Sequence, residues 1–87
     1  MPRVFIPPLL RDVTGGVQEI EVTGASVRHI IQELDTRFPG LGGRLCVDGQ
    51  LRPGLAVAVN GAVSSQGMLQ KVPPTAEVHF LPAIGGG

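Results

Sequence analysis

The sequence predicts an α+β layer fold in which one helix packs on one face of a small mixed sheet, with elements in the order ββαββ. Three observations carry this. Two short apolar runs at the amino end flank a glycine turn, a single helical stripe follows, and further β-type runs close the chain. At 87 residues, one core and one domain are expected.

The first strand is expected over Arg3-Val4-Phe5-Ile6, with Leu9-Leu10 continuing it beyond the proline pair. Pro7 and Pro8 lack the N–H of a ladder residue, so this stretch should be an edge, bulge or strand exit. Thr14-Gly15-Gly16 signals a turn, and Val17 to Val22 returns as the second strand with Ile20 and Val22 on one face. The period then changes. Val27, Ile30, Ile31, Leu34 and Phe38 recur at helical spacing, with Arg28, His29, Gln32, Glu33, Asp35 and Thr36 between them. Ser26 or Thr23 supplies the N-cap, and Pro39-Gly40 stops the helix. Leu41 to Gly54 is glycine-rich and expected to be a loop with a short helical turn around Leu45. Ala56 to Val59 is a third strand, and Asn60-Gly61 suits a tight turn at positive φ before a brief return at Ala62-Val63. A connection from Ser64 to Pro74 should tuck Met68 and Leu69 under the core. Ala76 to Leu81 is the last strand, with Ala76, Val78 and Phe80 facing the core and Glu77, His79 and Leu81 on the other side. This order is the β-grasp arrangement. A split βαβ fold would need a second helix, and no second apolar stripe of helical period is found.

Composition excludes several function classes. Seven basic and seven acidic side chains give a formal net charge of zero, and the six arginines are scattered from Arg3 to Arg52. That is not the basic footprint of a nucleic-acid binder. With three Phe and no Trp or Tyr, a stacking platform for bases is also excluded. No apolar run approaches the roughly 20 residues of a membrane span, and prolines interrupt the amino terminus too early for a signal-peptide core. Cys46 is the single cysteine, so no internal disulfide forms; a cytoplasmic location is expected. Cys46 is read as a small core residue rather than a persulfide acceptor. His29 and His79 sit on different elements with no third ligand at metal spacing. No bound metal or cofactor is expected, and the chain offers no constellation of its own for catalysis.

Chemistry therefore points to the tail. Residues 1–82 are expected to form the domain and 83–87 a flexible tail ending in Gly85-Gly86-Gly87. A frayed end, an expression scar or a truncated linker would also look glycine-rich. However, the triplet follows directly on a strand with no polar spacer. Glycine lacks Cβ, so such a backbone can thread a narrow cleft. Extended, Ala83 to Gly87 reaches roughly 16 Å. An α-carboxylate is ionised at neutral pH and can attack an α-phosphate. Once adenylated, it can accept sulfur and become a thiocarboxylate.

The segment Val78 to Gly87, VHFLPAIGGG, resembles the family of the small subunit of molybdopterin synthase and the thiamin-pathway sulfur carrier, which are ubiquitin-like β-grasp proteins. IPPLLRDVTGG at Ile6 to Gly16 is especially similar to the sulfur carrier of a thiocarboxylate route to cysteine. The helix and the Val57-to-Gly61 strand and turn fall where the family has them. The resemblance implies a protein cosubstrate whose Gly87, with Gly86 beside it, is adenylated and thiocarboxylated. Gly85 departs from the family pattern and adds tail flexibility. Leu81 matches a partner-facing apolar site that is often aromatic in the molybdopterin branch, and Pro82, Ile84 and Gly85 accompany it as partner-binding residues. Leu81, Ile84 and either Val59 or Ala62 are expected to form an apolar docking patch. The implied partners are an adenylating enzyme of the ubiquitin-activating kind, which consumes ATP, a sulfur donor, and a sulfur-accepting synthase. That synthase is cysteine synthase-like, the molybdopterin synthase large subunit or a thiazole synthase. The alternative is a ubiquitin-like modifier or interaction module, joined to lysines through the same terminus.

Overall fold

The computed structural model describes residues 1–63 and 66–82. Ser64, Ser65 and the tail 83–87 lie outside the described residues. The elements are β1 (Arg3–Phe5), β2 (Glu19–Glu21), α1 (Val27–Arg37), α2 (Leu41–Leu45), β3 (Cys46–Val47), β4 (Gln50–Leu51), β5 (Leu55–Val59), β6 (Ala62–Val63) and β7 (Glu77–Pro82), with 3-10 turns at Pro8–Leu10 and Gly67–Leu69. Five strands form one sheet in the order β2-β1-β7-β5-β6, and β3 and β4 form a separate hairpin. β1 and β7 run parallel while the other pairs are antiparallel. This is the β-grasp arrangement expected from the sequence.

The register explains the core. Val4 lies opposite Ile20 on one side and Val78 on the other, and Val78 lies opposite Val59. Val57 opposes Phe80. These residues share the face onto which α1 lays Val27, Ile30, Ile31 and Leu34, all buried. Excluding water from that shared apolar surface is the dominant stabilising term.

Helix α1 begins where Ser26, in extended geometry, accepts a hydrogen bond from the His29 N–H at 3.2 Å. Replacing Ser26 with Ala should lower stability by about 1 kcal/mol, read as a lower urea midpoint with an unchanged slope; Ser26→Asp should largely preserve it. At the far end, Asp35 Oδ1 accepts from the N–H of Gly40 at 3.2 Å and of Gly42 at 2.9 Å. This carboxylate satisfies orphan donors at the start of α2 and locks the two helices together. A Cβ at Gly42 would sit 3.0 Å from the Asp35 Cγ, so the close approach requires glycine.

Several expectations are corrected. Leu9 and Leu10 do not extend the first strand. Pro8 opens a 3-10 turn instead, in which the Leu10 N–H bonds the Pro7 carbonyl at 2.9 Å; Leu10 turns inward and Leu9 stays 81% exposed. The second strand is three residues long rather than six, although Val22 N–H still reaches the Pro2 carbonyl at 3.1 Å. The short helical turn expected around Leu45 is present as α2. It is five residues long, too short for a periodic stripe, yet it buries Leu41 and Leu45. The rest of the glycine-rich stretch carries the β3–β4 hairpin. Met68 packs against the core as expected, whereas Leu69 is 73% exposed because the 3-10 turn points successive side chains in different directions. The Asn60-Gly61 turn has φ of 52° and 82°, the positive pair expected of a tight hairpin linking β5 to β6.

Candidate functional site

Strand β7 is the element that delivers the tail. It lies inside the sheet between β1 and β5, and its register with β5 runs unbroken from Val59↔Val78 to Leu55↔Pro82. Pro82, the last described residue, is thus still strand-paired. Leu81 is half-buried opposite Ala56, and Pro82 is exposed opposite Leu55. Ile84, Gly85, Gly86 and Gly87 lie outside the described residues.

The outer face of the sheet, away from α1, surrounds this end of β7, the root of the tail. Its middle row is Glu19, Phe5, His79, Ala58 and Val63, with Leu81 and Ala56 next along the strands. The Phe5 and His79 rings stack 4.3 Å apart and 5° from parallel. Val63 is well exposed at the edge. Arg3 meets Glu19 at 3.4 Å and His79 Nε2 meets Glu77 at 3.8 Å, both at partly exposed side chains, where such pairs contribute little. The result is an apolar and aromatic strip bordered by charge beside the tail root.

The expected patch is corrected in part. Leu81 belongs to this face, but Val59 opposes Val78 and is buried toward the core, while Ala62, opposite Val59, shares that register and stays exposed at the sheet edge. Ala56 is the strand neighbour of Leu81 instead. Phe5 and His79 were not expected together. The one signal is that each falls on the outward parity of its strand, and only the parallel β1–β7 pairing brings them side by side.

The remaining candidates do not converge. His29 lies on α1, 3.8 Å from Glu33, and His79 lies on β7, so the two histidines stand on different elements. Among the described residues, no group of three or more His, Cys, Asp or Glu side chains is placed to hold a metal ion. Cys46 is half-buried and donates its thiol to the Gly42 carbonyl at 3.2 Å. No described helix is long and apolar enough to cross a membrane.

Comparison with known proteins agrees with this geometry. The sulfur carrier protein CysO of Mycobacterium tuberculosis is 29% identical over an alignment covering 97% of this chain and 96% of its own. Small archaeal modifier protein 3 of Haloferax volcanii is 32% identical over 65 residues, covering 72% of this chain and 71% of its own. Among solved structures, the Amycolatopsis orientalis BexX/CysO complex contains a chain that superposes with a TM-score of 0.90 at 34% identity, with both chains fully covered. The model of the ThiS family matches residues 4–87, glycine triplet included. The chain belongs to the ThiS family of ubiquitin-like sulfur carriers.

Proposed function

We propose that this chain carries sulfur as a thiocarboxylate on Gly87 and delivers it to a biosynthetic synthase. The observation that carries the reading is the family match through residue 87, which takes in the Gly86-Gly87 pair behind a strand-paired root. A Gly87 carboxylate oxygen attacks the α-phosphorus of ATP, and pyrophosphate leaves. A sulfide-level nucleophile then adds to the acyl carbon. AMP departs with the original carboxylate oxygen, and one proton is released. Gly87 keeps one oxygen and one sulfur. All of this occurs in an adenylating enzyme of the ubiquitin-activating kind, so this protein's own part is to present the carboxylate and to dock. Leu81 and Pro82, with Ile84 and Gly85 beyond them, form the contact that leads the terminus into its partners.

The route to cysteine is favoured for the acceptor, because resemblance to CysO extends over nearly the whole chain. Molybdopterin follows, then the thiazole of thiamin. The modifier reading has one specific support, the 32% identity to an archaeal modifier protein. Both readings share activation and part at the product. Lys71, the single lysine, limits self-linked chains and leans towards the carrier.

Intact-mass analysis of the protein from its native cells separates them. The carrier gives a species in which one oxygen is exchanged for sulfur. No such species, together with branched glycine–lysine peptides after proteolysis, would overturn the carrier in favour of the modifier.

A further inference from the structure

Beside the tail root lies an open groove of about 500 Å³. Its walls come from four separate parts of the fold: the 3-10 turn at Pro8–Leu10, helix α2, the β4–β5 link and the end of β7. Leu9 and Leu55 line it, and Pro82 forms one lip. Four of its twelve lining residues are prolines, which offer no N–H. A visitor therefore binds by packing a side chain rather than by adding a strand. Leu9 is 81% exposed here, an apolar residue with nothing over it.

The groove's charge has one sign. Arg44 and Arg52 are its only charged lining residues. Arg44 is pinned, donating to Asp12 Oδ2 and to the Leu9 carbonyl, both at 3.4 Å, which fixes the 3-10 turn against α2. Arg52 Nε donates to the Gly43 carbonyl at 2.8 Å, and among the described residues its terminal nitrogens have no protein acceptor. That leaves a planar donor fork suited to a carboxylate. The chain after Glu77 contains no Lys, Arg, Asp or Glu, so a protein grasping the tail finds no fixed side-chain charge there. With Arg44 paired to Asp12, the Arg52 guanidinium supplies it, across a groove that shares Leu81 and Pro82 with the tail root.

We infer that this groove is a second docking point for the adenylating enzyme, which seats an apolar side chain against Leu9 and Leu55 and sets a carboxylate against Arg52. The inference rests on the reading that Gly87 is adenylated. It adds a recognition element beyond the glycines, one that meets the outer face of the sheet only at Leu81.

The test is ATP–pyrophosphate exchange with the purified adenylating enzyme of the source organism, varying full-length wild type, Leu9→Asp and Arg52→Glu. Leu9→Asp changes an exposed side chain and should fold normally, so it reads the groove even if Arg52→Glu loses stability with its bond to Gly43. Each variant should raise the KM for the carrier about tenfold or more, with kcat within about twofold, and the wild-type KM should rise with salt. Exchange with wild type but unchanged KM in folded variants overturns the groove and leaves the proposed function standing. A fall in kcat at constant KM overturns docking as the groove's role. Self-association abolished by the same substitutions assigns the groove to a second copy and overturns the inference. No exchange with wild type defeats the proposed function and this inference together.

Discussion

Replacing Leu34 with Ala is expected to lower stability by about 3 kcal/mol, and replacing Leu69 with Ala by less than about 0.5 kcal/mol. The two leucines differ in what surrounds them. Leu34 is fully buried in the α1 stripe, within the cluster that joins Val4, Val78, Val57 and Phe80 across the sheet. Truncation there removes the buried methyl groups and leaves a cavity that the paired strands cannot collapse to fill. Leu69 sits exposed on its 3-10 turn, so its loss removes little apolar contact. A domain of this size is stable by roughly 4–13 kcal/mol, so 3 kcal/mol is a substantial share. The melting temperature should fall by roughly 12–24 °C for Leu34→Ala and hardly move for Leu69→Ala. Urea unfolding with unchanged slope checks both values. A small loss at Leu34 would mean that α1 is not the lid of the core.

That contrast also marks what a sequence can disclose. Leu34 was legible because α1 repeats its apolar residues at helical period over three turns, begins at a side-chain cap and stops at Pro39-Gly40. The last strand was legible for the same kind of reason, since Ala76, Val78 and Phe80 alternate with Glu77 and His79 and are all buried. Leu69 carries no such signal, because a single 3-10 turn has no repeat to detect. Helix α2, with two glycines in LGGRL, depends on a carboxylate seven residues before Gly42 and on burial of Leu41 and Leu45. Neither dependence is local. Short strands such as β3 and β4 pair over two residues each, below the length at which alternation shows.

The candidate site divides the same way. Leu81 and Pro82, expected as partner-binding residues, lie at the end of β7, half-buried and exposed respectively. Val59 was misplaced because the face it shares with β7 depends on register, which sequence parity within one strand does not specify. With Ala56 opposite Leu81, Val59 must oppose Val78 and turn inward. The Phe5–His79 stack and the Arg-lined groove likewise join residues far apart in the chain, through a parallel pairing and a four-part wall that only the fold assembles.

Deleting Gly87 is expected to reduce adenylation at least about 100-fold while leaving the fold unchanged. Removing one residue draws the carboxylate back by roughly 3.5 Å. In-line attack on phosphorus requires the reacting atoms at near-contact distance, and a misplacement of about 1 Å already costs on the order of 100-fold. Adding one residue after Gly87 moves the carboxylate forward by the same step and converts Gly87 to an amide, so it should fail equally. Stability has no reason to follow. Among the described residues the core cluster extends no further along the chain than Phe80, and the β5–β7 pairing runs to Pro82, the last of them. Both variants should therefore melt within about 0.5 kcal/mol of wild type. ATP–pyrophosphate exchange, run beside thermal melts, reads the two quantities separately. Lost exchange at unchanged stability is the result expected of a carboxylate that is itself the reactant. Full exchange by the deletion variant would remove the central proposal, since a docking module that merely contacts its partner does not depend on where its last carboxylate falls.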